Sequence, residues 1–425
     1  MHAAPLALAV MWPPFCDLPP LPGDGSGGGD TGGNSSQGGA TGGGGAGSGG
    51  SSGDAGDPVL GCSAPEWPSK AELLPLPPVA FDDGVGEADL RKLSANGEVV
   101  IADYLIAHGD LYNEPDGHRP IFWNGGDWQR VDADTTGIST AVNCDGSVIA
   151  GRRSRLDGFI KTPDTPLVVL PGEEPWAPIP EAMSADGTRI GGNLTKVEDG
   201  PWAGETIPVW WTLAGEMWFF DPPEPRTLRH VSYDGSLVAG HRNICLQKFC
   251  DSLASLFVWS PTSDGTFYED MPWSVMSSDL STATGATLPP LYHHPWESNE
   301  VLVFRRPDQL TQLPCPMGAA CDAVALSSRG NIVLVNAYLR AYLWTAERGF
   351  QDIAALLAAD GVPFSELGFN AVDMSDDGRV ILGSGTITHE NGEQESGWFR
   401  VVLPRRVYEV PDGISDSGSD VKARR

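Results

Sequence analysis

Six copies of one ten-residue pattern recur along the chain: LSANGEVVIA, VNCDGSVIAG, MSADGTRIGG, VSYDGSLVAG, LSSRGNIVLV and MSDDGRVILG. A chain that repeats a short motif at near-constant spacing must stack equivalent units, because one unit alone cannot bury its apolar face. The anchoring glycines are Gly97, Gly146, Gly187, Gly235, Gly330 and Gly378, separated by 49, 41, 48, 95 and 48 residues. The separation of 95 is two periods, so an eroded copy is expected within it. MSSDLSTATG, Met276 to Gly285, keeps the Ser and the Asp. Seven units result.

Ser-x-Asp-Gly is a turn with a mechanism. Ser or Asp caps the backbone, and Gly takes the positive φ that a tight hairpin needs. The residues involved are Ser94, then Asp145 and Gly146, then Ser184, Asp186 and Gly187, then Ser232, Asp234 and Gly235, and finally Ser375, Asp377 and Gly378. The apolar pentamer after each turn is too short for a helix and reads as a buried strand. An aromatic strand follows (IFWNG, VWWTL, LFVWS, YLWTA, GWFRV), then a closing segment (LVVLPG, WFFDPP, FYEDMP, QLTQLP). Three or four strands in about 47 residues is the period of a propeller blade. β-Helix coils are about half as long, and a β-sandwich gives no reason for the periodicity. The expected fold is all-β: a single β-propeller, seven-bladed. FQDIAALLAADG, Phe350 to Gly361, is the one helical signal. A propeller must also close its ring, since unpaired edges are a liability. AELLPLPPV, Ala71 to Val79, belongs to no repeat. Leu73–Leu76 is therefore expected as the outer strand of the last blade, antiparallel to Trp398–Leu403.

The turn motif, the aromatic strand and the Leu-x-x-Leu-Pro ending together resemble the bacterial HAF-repeat, or extracellular repeat, proteins. AVDMSDDGRVILGSG…GWFRVVLP, Ala371 to Pro404, carries the resemblance best. It implies a secreted, propeller-like chain and brings no catalytic residues. The copies diverge: Asn96 and Arg329 stand where Asp is the rule, and the fifth copy lacks its Gly.

Of 425 residues, 56 are acidic and 27 basic, giving a net charge of −29. Such a surface disfavours nucleic acid, whose binding rests on Lys and Arg neutralising phosphates. The sequence divides into a signal peptide or lipoprotein anchor at 1–22, a linker at 23–66, the propeller at 67–410 and a polar tail at 411–425. APLALAVMWPPFC is too short to span a bilayer and has the size of a signal core, which makes Cys16 a lipidation candidate. Half of residues 23–58 are Gly, so that stretch offers no apolar surface to offset ordering entropy. Two close cysteine pairs, Cys245 with Cys250 and Cys315 with Cys321, are expected as disulfides, with an extracellular, cell-surface or periplasmic location.

No catalytic constellation emerges, and neither a cofactor nor a metal is expected. His293, His294 and Glu297 form the one histidine cluster, which reads as an exposed loop. The recurrence of Asp145, Asp186, Asp234 and Asp377 favours turn structure, since a catalytic group is seldom needed in every blade. The function these features support is a monomeric, secreted or surface-tethered module that binds a protein or glycan ligand. The alternative is a hydrolase or lyase with carboxylates at the channel mouth.

Overall fold

A computed structural model describes residues 62, 65–75, 77, 88–105, 117–154, 156–170, 175–196, 206–219, 227–242, 255–260, 263–268, 275–286, 300–306, 309–318 and 320–404. Their strands form seven four-stranded antiparallel sheets. The chain is a seven-bladed β-propeller. Ala88–Leu93, Ile138–Val142, Trp176–Met183, Thr227–Val231, Val275–Met276, Cys321–Leu326 and Glu366–Met374 are the first strands of blades 1 to 7. Six sheets run in simple sequence order. The seventh is filled from outside: Lys70–Leu73 pairs with Gln394–Val402, with Lys70 opposite Val402 and Leu73 opposite Phe399. The helix Ile353–Ala359 links blades 6 and 7, capped by Asp352, whose carboxylate accepts from the Ala354 and Ala355 N–H groups.

The repeated decapeptide is the joint between blades. In six turns a Ser hydroxyl accepts the N–H five residues on: Val99 to Ser94, Arg189 to Ser184, Leu237 to Ser232, Thr282 to Ser277, Ile332 to Ser327 and Val380 to Ser375. Asn143 Oδ1 does the same for Val148 in blade 2. The Ser hydroxyl in turn donates to the carboxylate of Asp186, Asp234, Asp279 or Asp377. Asn96 and Asn331 accept that proton in blades 1 and 6.

The main chains of neighbouring turns join: the second residue of each turn accepts at its carbonyl, and the donor N–H comes from the second residue or, in blades 1 and 5, the third. Asn96 N–H donates to Cys144 O, Cys144 to Ala185 O, Ala185 to Tyr233 O and Tyr233 to Ser278 O. Asp279 then donates to Ser328 O, Ser328 to Asp376 O and Asp376 back to Ala95 O. These seven bonds, 2.6 to 3.1 Å long, run once around the channel and return to their start.

Glycine is required here for space as well as φ. Gly97, Gly146, Gly187, Gly235, Gly330 and Gly378 all have φ between 65° and 78°. A Cβ at Gly97 would overlap Val380, one at Gly146 would overlap Val99, and one at Gly187 would overlap Val148. Each is a side chain of the preceding blade. The fifth turn solves the problem differently. Leu280 keeps the left-handed conformation at φ 54°, which costs roughly 1–2 kcal/mol, and buries its side chain among Ala239, Met276 and Phe304. That burial contributes about 1.5–3 kcal/mol and outweighs the strain.

The strand from the N-terminal side lies three residues earlier than expected. It spans Lys70–Leu73 rather than Leu73–Leu76, because Pro75 has no N–H to donate; the pairing ends with Leu74 N–H on Trp398 O. Leu74 is buried against Tyr104, Trp123 and Leu382. Arg400 lies between the rings of Trp67 and Trp123, 4.9 and 4.6 Å from their centroids. Its Nε and Nη2 both bond Glu72, at 3.2 and 2.8 Å. This segment bonds blades 7 and 1 together: Trp128 Nε1 of blade 1 donates to Pro75 O at 2.6 Å.

Deleting residues 60–78 is expected to lower the melting temperature by about 10 °C or more, since the blade 7 edge and the Leu74 and Trp67 contacts go together; calorimetry on the truncated chain checks it. Gly146→Ala, which adds the clash with Val99 to an unfavourable φ, is expected to destabilise the fold by about 2 kcal/mol or more in urea titrations.

Candidate functional site

The seven first strands enclose a cavity of about 560 Å³, within the range of small-ligand sites. One end of it is the turn ring, where Ala95, Cys144, Ala185, Tyr233, Ser278 and Asp376 line the space. A second layer lies deeper. Six first strands carry a bulge at the same offset, three residues before the Ser or Asn of the turn, at Arg91, Thr140, Glu181, Arg229, Val324 and Val372. A bulge leaves one residue unpaired and re-aims its side chain.

The layer is lopsided. Blades 1, 3 and 4 present Arg91, Lys92, Glu181, Arg229 and His230, whereas blades 5 to 7 present Val275, Val324, Ala325 and Val372, with Asp373 beside them. Arg229 pairs with Glu181 at 2.8 Å, and Lys92 Nζ donates to the Glu181 carbonyl at 3.2 Å. Burial pushes the Glu181 carboxyl up, against the pull of Arg229 and Lys92.

Two aspartates stand on the aliphatic side. Burial raises Asp373, although the N–H of Leu93 and that of Met374 donate to its two oxygens at 2.9 and 2.8 Å. Asp376 is pushed up to about 6, first by burial and further by Asp373, Asp377 and Asp279. Ser278 donates to its Oδ1 at 2.6 Å, while its buried Oδ2 has no hydrogen-bond partner. Tyr233 on the same rim is raised by burial and by the charges of Asp376 and Asp186.

Behind the channel wall a further set of groups fixes the blades. Asn193 accepts the Leu228 N–H and donates to the Leu228 carbonyl, at 2.8 and 3.0 Å. Asn336 holds Ala371 in the same way, at 2.9 and 2.8 Å. Asp103 occupies the equivalent position in blade 1 and accepts the Ser139 N–H at 2.8 Å. A carboxylate cannot donate to the Ser139 carbonyl, and its second oxygen takes Arg91 Nε instead. Burial pushes Asp103 up to about 7.

The turn aspartates read from the sequence do not enter this chemistry. Asp145, Asp186 and Asp234 are exposed at the turns, where partial burial opposes their charge but hydrogen bonds from their own turns hold each below the ordinary carboxylate range. Cys315 and Cys321 form a disulfide, Cα atoms 5.8 Å apart, between the last strand of blade 5 and the first of blade 6. Cys16, Cys245, Cys250, His293, His294 and Glu297 lie outside the described residues. The sequence reading placed Cys62 in the linker; it is instead buried and bonded to Cys144, with a Cα separation of 5.6 Å. Among the described residues no group of three His, Cys, Asp or Glu side chains is placed to hold a metal ion, and no helix is long and apolar enough to cross a membrane.

No protein-family model matches the chain, and no curated protein matches it. Solved structures do. Uncomplexed acylaminoacyl peptidase from Pyrococcus horikoshii is matched with a TM-score of 0.50 at 12% identity, over 75% of this chain and 52% of that one. The chain thus spans about half the length of that peptidase. The β-propeller domain of the Trilobed protease from Pyrococcus furiosus gives a TM-score of 0.46 at 12% identity, over 73% and 97%. Virginiamycin B lyase from Staphylococcus aureus gives 0.46 at 11% identity, over 79% and 100%. At such identities the likeness is one of fold.

Asp103 gives the channel wall a pH dependence of known sign. Its folded pKa of about 7 lies above the ordinary value of 3.8, so the folded state holds the proton more tightly. The stabilisation is complete below about pH 3.8 and is lost as the pH rises through about 7. The melting temperature is expected to fall between pH 5 and pH 8. Asp103→Asn, which can bond Ser139 as Asn193 bonds Leu228, should flatten that slope and raise the melting temperature at pH 8.

Proposed function

We propose that the chain is a secreted or surface-tethered binding module that takes a protein or glycan ligand at the channel end opposite the turn ring. The observation that carries this reading is the lopsided layer of bulged residues. Six of the seven first strands bulge there, with no residue type in common. Even so, Arg91, Glu181 and Arg229 converge on one half of a ligand-sized cavity and aliphatic groups on the other. A few convergent polar groups beside an apolar wall are the usual make-up of a binding site. The disulfides support an oxidising location. The turn motif supports kinship with the HAF-repeat proteins. The second reading, a hydrolase or lyase, draws on Asp373 and Asp376. Both oxygens of Asp373 are engaged by backbone N–H groups, which leaves one carboxyl rather than two for proton transfer.

Calorimetric titration of the full chain with neutral and uronic-acid oligosaccharides, and with peptides of either charge, tests the proposal. Arg229→Ala is expected to weaken the bound ligand by about tenfold or more, the loss from removing a charged hydrogen bond. Binding unaltered by Arg229→Ala and Lys92→Ala would move the site off the channel. Turnover of a bound oligosaccharide that disappears in Asp376→Asn would establish the enzyme reading instead.

A further inference from the structure

Antiparallel strands alternate in direction, so the hairpins between second and third strands lie on the face opposite the turn ring, as do the links from one blade to the next. The three most exposed large apolar side chains among the described residues gather at one corner of that face. They are Met317, Tyr338 and Leu339, each at least 75% exposed. Tyr338 and Leu339 are the two-residue hairpin between Ile332–Ala337 and Arg340–Thr345 of blade 6. Met317 lies in the link from blade 5 to blade 6. The Cys315–Cys321 disulfide closes that link, and Cys321 pairs with Ala337, the residue before Tyr338. Tyr342, on the strand after the hairpin, donates its hydroxyl to Met317 Sδ at 3.4 Å.

Two of the three are held in an unfavourable backbone. Met317 has φ 59° and Tyr338 φ 56°, in the left-handed region that residues with a Cβ avoid. A tight hairpin favours Gly or Asn at such a position. Leu280, which shares this conformation, recovers the cost by burying its side chain, whereas Met317 and Tyr338 leave theirs in water. Strained residues that burial does not compensate point to a role outside folding. The hairpin is also fixed in place, because the Leu339 carbonyl accepts the Phe369 N–H of blade 7 at 2.8 Å. Beyond Phe369 the first strand of blade 7 continues to Glu366, opposite Thr388, so blade 7 stands above the hairpin as a wall. That wall is acidic. Glu366, Glu390 and Glu393 are exposed, as is Asp322 beside the hairpin, and none of the four has a cation partner among the described residues. Arg340 and His389 at the same corner already pair, with Asp352 and Glu395.

We propose that this corner of blades 6 and 7 docks a protein partner through a segment that carries a large apolar side chain flanked by Lys or Arg. Met317, Tyr338 and Leu339 form the step that receives the apolar side chain, and the acidic wall attracts its basic neighbours. A flexible Met beside a rigid Tyr suits a protein contact, since one adapts in shape and the other supplies area at little entropic cost. A glycan site needs ring faces and convergent polar groups, and this step offers one ring between two aliphatic side chains. An anionic bilayer is repelled by four unpaired carboxylates on a chain of net charge −29. The inference rests on the binding reading above and names the partner's chemistry, but its residues stand outside the channel lining.

Selection of short random peptides from a displayed library on the full chain, followed by calorimetric titration of the selected peptide, is the test. The selected sequences are expected to set Trp, Phe or Leu beside Lys or Arg, and their binding to weaken with added salt. Tyr338→Gly is expected to raise the melting temperature by about 2 °C, because Gly accepts φ 56°, and yet to weaken the selected peptide about tenfold or more. Leu339→Ser should weaken it as well, and Glu390→Gln with Glu393→Gln about threefold or more. Acidic or wholly polar selected sequences would overturn the proposal, as would a selection that yields none. A peptide whose binding responds to Arg229→Ala but not to Tyr338→Gly or Leu339→Ser would overturn it too, and would leave the channel reading standing. Neutral oligosaccharides or phosphatidylcholine vesicles that bind in place of peptides, and are lost in Tyr338→Gly, would assign the corner to a glycan or a lipid surface instead.

Discussion

Seven main-chain hydrogen bonds, each from one turn to the next around the channel, are the constraint on which the rest of the molecule depends. Packing alone lets sheets slide past one another; a bond from Asp376 N–H to Ala95 O that completes a circle fixes how many sheets fit and how they are tilted. The sequence of the turns follows from this. Ser and Asp saturate the local backbone, so that the second residue's C=O, and the N–H of that residue or in blades 1 and 5 of the one after it, stay free for the neighbouring turns. Gly lets the preceding blade come within contact distance. The aspartates recur in the turns for the same structural reason, and their carboxylates are spent on their own loops.

This ring is also what makes the channel a site. It holds the first strands at a fixed radius, and the bulge three residues upstream, present in six of the seven, then brings side chains of five blades to the channel. The position is free to vary because no backbone partner constrains it. In blades 1, 3 and 4 it brings in Arg91, Glu181 and Arg229, and in blades 6 and 7 Val324 and Val372, while Thr140 of blade 2 bonds the Pro180 carbonyl of the next blade instead. Fold and proposed site are thereby separated within one motif: Ser, Asp and Gly build the ring, and the residues at the bulge line the channel proposed as the binding site.

Much of the architecture was legible because it repeats. The period, the turns and the eroded fifth copy follow from spacing, and Leu280 shows why that copy could lose its glycine: burial of the side chain outweighs the strain of its φ. The N-terminal strand was legible from the missing segment of the last repeat, but its register was not. That is set by which residues can donate, and Pro75 ends the ladder at Leu74. The Cys62–Cys144 bond could not be read from spacing, since the partners are 82 residues apart and Cys62 belongs to no repeat. The channel residues were missed for another reason. Arg91, Glu181 and Arg229 share an offset from the turn but no common residue type, and a search for conserved chemistry within the repeat passes over them. The signal in the sequence was a constant offset from the turn, not a constant residue.

Bonded in a closed circle, the seven turns are expected to act as a single cooperative element. Native-state hydrogen exchange of its seven donor amides, those of Asn96, Cys144, Ala185, Tyr233, Asp279, Ser328 and Asp376, measures this directly. The seven are expected to exchange with one common free energy, close to that of global unfolding, although turn amides ordinarily exchange early. Seven independent and low protection values would contradict it and would leave the blades held by side-chain packing alone.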